Sequence, residues 1–190
     1  MAQILDGARA CFISRGFHGT SVSEISSAAG VSTANIYQYF ENKDALILAL
    51  IADDLKHELE LILRISQSDM HFASFQEAFR DGFIGKAAVN AAVMRCEVLA
   101  EAARNPAIAQ LVRVNEAKAM AAVTAAITRA QEEGLVDASL DADSCAEMIA
   151  LVIDGLQRRL TFAPESGEVL LRDFVTFLVR TLNIPTPQQD

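Results

Sequence analysis

Apolar side chains recur at steps of three and four residues from the start of the chain, the period that gathers them on one face of an α-helix. Ile4, Leu5, Ala8, Cys11 and Phe12 open the pattern. "RGFHG" then breaks it with two glycines, so a first helix should end near Arg15 with Gly16 as its stop. In "TSVSEISSAAG", Ser21 and Glu24 have the spacing of a capping box, in which the serine oxygen takes an amide hydrogen bond and the glutamate reaches back. Gly30 can supply the left-handed stop of this second helix. Ser32 is placed to cap a third helix from Thr33, and two short capped helices around a tight glycine turn make a helix-turn-helix pattern.

The pattern stays helical beyond this point. From about Lys43 to Ser66, Leu46, Ile47, Leu50, Ile51, Leu55, Leu59 and Ile62 form one long stripe. Phe72, Phe75, Phe79 and Phe83 share nearly one helical face, and "AVNAAVMRCEVLAEAAR" is apolar on several sides, as a central helix would be. Further helices are expected over 106–133, closed by Gly134, over about 141–161 with Asp141 as cap, and over about 168–182. No segment alternates in the manner of a strand. The expectation is an all-α protein of about nine helices, divided into a helix-turn-helix domain over 1–47 and a second domain over 48–190.

Composition narrows the function. An apolar fraction of 52% with few Gly or Pro points to a packed globular protein. No apolar run approaches the roughly 18 residues of a membrane span, and the N-terminus lacks the character of a signal peptide, so a soluble cytoplasmic protein is expected. Cys11, Cys96 and Cys145 are odd in number and widely spaced, which reads as buried thiols rather than a disulfide framework. There is no HExxH, GxSxG, phosphate loop or Cys/His metal spacing, so neither a catalytic site, a metal nor a cofactor is expected. The net charge of −9 argues against a protein that coats nucleic acid. The front is less acidic than the rest: residues 1–47 hold three basic against four acidic side chains, a net of −1.

The segment "TANIYQYF" gives that front a chemistry. Ile36 and Phe40, four residues apart, face inward. Thr33, Ala34, Asn35, Tyr37 and Gln38 then face outward, with Tyr39 and Lys43 close behind. Small and polar groups that reach base edges, flanked by groups that grip phosphates, are what a helix in a DNA major groove needs. An ordinary surface helix is the plain alternative on spacing alone.

The whole stretch "ILDGARACFISRGFHGTSVSEISSAAGVSTANIYQYFENKDALILAL" resembles the N-terminal domain of TetR-type transcriptional regulators through the framework F...GF.GTSV..I...AGVS...IY.YF..K..L. The resemblance implies a three-helix DNA-binding domain, a connecting fourth helix, and an all-α C-terminal domain that dimerises and binds a small effector. It places Thr20 or Ser21, Tyr37 and Lys43 on phosphates. Ser32, Thr33, Ala34, Asn35, Gln38 and Tyr39 complete the DNA-facing set, with Thr33 to Asn35 and Gln38 nearest the bases. His18 reads as a loop residue rather than a phosphate contact. Many members have a basic arm before the first helix; here only Met1, Ala2 and Gln3 precede it, so either DNA binding is modest with a shallow dependence on salt or the arm is missing from this chain.

Beyond residue 50 the resemblance is architectural. Ile149, Val152, Ile153, Leu156, Phe174, Phe177 and Leu178 are candidates for pairing the last two helices with a second copy, although such stripes could instead fill the subunit's own core. Phe72, Phe75, Phe79, Phe83, Met94 and Met120 could line a pocket for an apolar or aromatic effector, or be plain core. Arg95, Glu97, Arg113 and Asn115 are the polar groups that could orient such a ligand. The expected partners are double-stranded DNA, a small-molecule effector and a second copy of the chain. A dimeric adaptor without specific DNA binding is the main alternative, and an enzyme is a more distant one.

Overall fold

The computed structural model describes residues 1–67, 79–80 and 82–182, and all regular structure among them is helical. Eight α-helices are described: α1 (Ala2–Arg15), α2 (Val22–Ala29), α3 (Thr33–Tyr39), α4 (Lys43–Gln67), α5 (Gly85–Ala102), α6 (Pro106–Glu132), α7 (Ala142–Leu160) and α8 (Gly167–Thr181). A single 3-10 turn, Pro164–Ser166, leads into α8. The all-α expectation holds, with eight described helices against about nine expected. Phe72 and Phe75 lie outside the described residues. Among those residues no helix is long and apolar enough to cross a membrane.

Packing divides the chain differently from the expected 1–47 and 48–190. One compact unit takes Met1–His57 together with Val93–Arg113, and the other takes Glu58–Ala92 together with the chain from Val114 onward. Helices α4, α5 and α6 each pass from one unit to the other along their length.

The first unit is built on Ile4, Leu5, Ala8 and Phe12 of α1, Ile25 of α2, Ile36 of α3 and Leu46, Ile47, Leu50 and Ile51 of α4. Met94 and Val98 of α5 and Ile108 and Val112 of α6 complete the same core. Phe12 and Phe17 meet edge to face, with ring centroids 5.0 Å apart. Arg9 ties α1 to α4 through Asp53 and Asp54 while also bonding Asp6. Partial burial alone would depress its guanidinium, but the bonds to Asp54 and Asp6 outweigh it and carry the group above its ordinary value.

Helices α1 and α2 approach closely at Gly7, where a Cβ would lie 2.8 Å from the backbone nitrogen of Ala29. Helix propensity favours Ala over Gly by about 1 kcal/mol, whereas forcing a methyl group against fixed backbone costs about 1–3 kcal/mol. Gly7→Ala is therefore expected to lower the melting temperature. A rise would mean that the two helices are free to separate at this point.

The second unit has two clusters. Phe83, Ala88 and Ala92 pack with Leu160, Leu171, Phe174, Val175 and Leu178, and Phe79 joins edge to face against Phe174 at 5.2 Å. Ile127, Ala130, Val136, Ala146 and Leu182 form the other. Asp141 caps α7 by accepting the Ser144 N–H at 2.8 Å, as expected from its position, and these hydrogen bonds hold its carboxyl below the usual range. The cysteines differ from expectation: Cys96 is exposed, and Cys11 and Cys145 are only partly buried.

Candidate nucleic-acid interface

Both ends of α2 are closed as the residues require. Ser21 Oγ accepts the Glu24 N–H at 3.3 Å while the Glu24 carboxylate accepts the Ser21 N–H at 2.8 Å, a complete capping box. Gly30 takes the left-handed conformation, with φ 63° and ψ 31°, which allows Val31 N–H to bond Ser26 O at 3.0 Å. The chain thereby turns at once into α3, capped by Ser32, whose Oγ accepts the Asn35 N–H at 3.1 Å. At seven residues α3 is too short to persist alone. It is seated by Ile36 and Phe40, both buried, and by Thr33, whose hydroxyl donates to Ser26 Oγ at 3.2 Å.

The outward face follows from that seating. Ala34 and Gln38 are exposed, Tyr37 and Tyr39 keep 51% and 55% of their surface in solvent, and Asn35 is half-buried. Ala34, Tyr37 and Gln38 share one accessible face of a helix anchored from behind, with Asn35 and Tyr39 on its flank.

Three expected phosphate contacts are already bonded within the chain. Thr20 is only 2% exposed and its hydroxyl bonds Cys11 O and Gly16 O, so it braces the loop between α1 and α2 instead of facing a ligand. Ser21 is exposed, and its oxygen serves the cap. Lys43 is half-buried, and its ammonium donates to Phe17 O and to Thr20 O, both at 3.0 Å. One of its three N–H groups remains for a phosphate.

Every basic side chain of residues 1–47 is in fact already engaged: Arg9 with aspartates, Arg15 with Glu24, and Lys43 with loop carbonyls. His18 is exposed in the loop, as expected, with Nε2 3.1 Å from Glu101 Oε2. A surface with so little uncommitted positive charge must take its specificity from hydroxyl, amide and ring contacts.

The described candidate effector residues belong to different core clusters or to the surface. Met94 is buried in the core of the first unit, and exposed Arg113 bonds its neighbour Gln110. Phe79 and Phe83 belong to one cluster of the second unit and Met120 to the other. Glu97, read from sequence as a ligand-orienting group, accepts the backbone N–H of Phe17 at 3.1 Å. Spacing along one helix could not have shown this, because the partner lies 80 residues away.

Among the candidate pairing residues, Phe174 and Leu178 are buried in the chain's own core, while Ile149, Val152, Ile153 and Leu156 are partly buried against it. Phe177 remains 43% exposed. Met148 and Leu151 of α7 and Val169 of α8, which lie outside the candidate pairing set, are exposed with it.

A capped helix-turn-helix on a three-helix head, carried by longer helices, is the build of a DNA-binding regulator. Residues 4–50 match the model of bacterial regulatory proteins of the tetR family, and residues 85–182 match that of the BetI-type transcriptional repressor C-terminal domain. The chain belongs to the TetR family of transcriptional regulators. It is 28% identical over 166 residues to the HTH-type transcriptional repressor Rv1474c of Mycobacterium tuberculosis, covering 87% of this chain and 82% of the relative. In fold it is similar to a transcriptional regulator from Saccharomonospora viridis in complex with choline, with a TM-score of 0.79 and 20% identity over 93% of this chain and 94% of that one. It is also similar to the transcriptional regulator FadR of Bacillus subtilis in complex with stearoyl-CoA, with a TM-score of 0.71 and 21% identity over 92% and 97% of the two chains.

Proposed function

We propose that this protein is a ligand-responsive repressor that binds a palindromic operator as a homodimer in the cytoplasm and leaves it when a small apolar or aromatic effector binds. The observation that carries the reading is the exposed strip Ala34, Tyr37 and Gln38, flanked by exposed Tyr39, on a helix locked by Ser32, Ile36 and Phe40. Asn35, half-buried at the start of α3, borders that strip, while Thr33 is turned to Ser26 of α2. A dimer would set two such helices in successive major grooves, about 34 Å apart.

Pairing is assigned to α7 and α8. Met148 and Leu151, each 55% exposed, lie on one face of α7 with Gly155, and a Cβ at Gly155 would meet nothing within 4 Å. A second copy could therefore approach α7 closely, with Phe177 and Val169 of α8 beside it. The effector is assigned to the second unit, whose Phe79, Phe83 and Phe174 cluster beside Ala88 and Ala92 offers aromatic walls with small neighbours. The choline and stearoyl-CoA complexes of its structural neighbours show that small molecules occupy those proteins. Such an effector acts only by its different affinity for the two forms, on the scale of about 1–3 kcal/mol.

Selection of bound duplexes from a random pool tests this reading. Enrichment of one palindromic motif, bound by two chains, is expected. Uniform, salt-sensitive binding without a motif would leave only a dimeric adaptor.

A further inference from the structure

Helix α5 carries Glu97 and Glu101 four residues apart, and so on one face. Both are turned toward the short loop that joins α1 to α2. Glu97 Oε2 accepts the Phe17 N–H at 3.1 Å, and its two carboxylate oxygens lie 3.1 and 3.2 Å from where a Cβ on Gly16 would stand. Glu101 Oε2 is 3.1 Å from His18 Nε2, and also pairs with Arg104 at 3.9 Å.

From another side, Lys43 of α4 holds the carbonyls of Phe17 and Thr20. Both polar backbone groups of Phe17 are thus taken by charged side chains on helices outside the loop, its N–H by Glu97 and its C=O by Lys43. Gly16 is suited to this grip twice over: its φ of 72° is one that side chains disfavour, and the carboxylate fills the space where a side chain would start. Immediately after the loop stands Ser21, the residue that caps α2.

We infer that Glu97 is a positioning residue for DNA reading: it fixes the posture of the loop, and through Ser21 the entry of α2 and the set of α3. The inference rests on the regulator reading above. It also gives α5 a part in the response. Residues 85–92 of that helix belong to the second unit, with Ala88 and Ala92 in its core, and residues 93–102 to the first. A displacement of α5 along its axis would therefore reach the reading head through a hydrogen bond to Phe17 N–H as well as through the packing of Met94 and Val98.

Electrostatics and positioning predict opposite signs, which makes the test sharp. Removing one carboxylate takes the net charge from −9 to −8, and by charge alone should tighten binding to a polyanion. If Glu97 positions the loop, its loss weakens binding instead. The full chain and its Glu97→Leu, Glu97→Asp and Glu97→Gln variants would be titrated with the duplex selected by the wild type, across a series of salt concentrations. Melting curves and the exchange rate of the Phe17 amide would be followed alongside.

Glu97→Leu is expected to lose about tenfold in affinity, as removal of a hydrogen bond to a charged group would give. Its dependence on salt should match the wild type, and its Phe17 amide should exchange faster. Glu97→Asp, one methylene short of the amide but still charged and closer in volume, should lose affinity with a smaller fall in melting temperature than the leucine variant, which keeps the test open if that variant folds poorly. Glu97→Gln, which keeps an acceptor oxygen, should recover most of the binding. Equal or tighter binding by the Leu and Asp variants would overturn the inference. A wild type that selects no motif would instead sink the regulator reading, and this inference with it.

Discussion

Phe12→Ala should destabilise the protein by about 3–5 kcal/mol, the range for deleting a fully buried aromatic side chain. Phe12 has no exposed surface and sits at the centre of the first unit, edge to face with Phe17. Its removal leaves a cavity between α1 and the loop and forfeits the ring pair, itself worth about 0.5–1.5 kcal/mol. The surroundings can collapse only a little. Gly7 already brings α1 against the backbone of α2, and Lys43 and Glu97 hold Phe17 from its two backbone ends. In a chain of this size the melting temperature should fall by on the order of 10 °C, and Phe12→Leu should recover a large part of the loss. A shift of only a degree or two would show that the head does not depend on this ring pair.

The same region shows what could be read from sequence. The caps Ser21, Ser32 and Asp141, the stop at Gly30 and the inward pair Ile36 and Phe40 were legible because each depends on neighbours within four residues. A residue's local spacing carries the whole of that information. The role of Lys43 was not legible in the same way, because its partners are carbonyls of the loop between α1 and α2, 26 and 23 residues away, and Thr20 reaches back nine residues to Cys11 O as well as four to Gly16 O. Glu97 was harder still, with a partner 80 residues distant.

Apolar stripes proved ambiguous for a related reason. Periodicity says that Phe174, Phe177 and Leu178 are apolar positions of one helix, but not which of two apolar surroundings each one meets. Phe174 and Leu178 fill the chain's own core, and only Phe177 stays largely in solvent. The wide stripe on α8 is thus two faces in one, a buried face for the fold and an exposed edge left over. The division of the chain shows the same limit: the helix-turn-helix ends where the motif ends, but its core continues into Met94, Val98, Ile108 and Val112.

Tyr37→Ala and Lys43→Met should both abolish enrichment of the operator, for reasons that separate measurements can tell apart. Tyr37 is half in solvent on the outer face of α3, so its loss should leave the melting temperature almost unchanged and lower affinity by at least about tenfold, the cost of one or two good contacts. Lys43 holds two backbone carbonyls, so Lys43→Met should weaken folding as well, by about 1–3 kcal/mol. The salt dependence then decides what the lysine does on DNA. If its remaining N–H grips a phosphate, the slope of log affinity against log salt should fall by about one for each subunit in the complex. If the slope is unchanged while affinity falls, Lys43 acts through the loop alone, as the counterpart of Glu97 on the other side of Phe17. Full operator binding by both variants would mean that the strip on α3 is not the reading surface, and the exposed face of α2 would become the place to look.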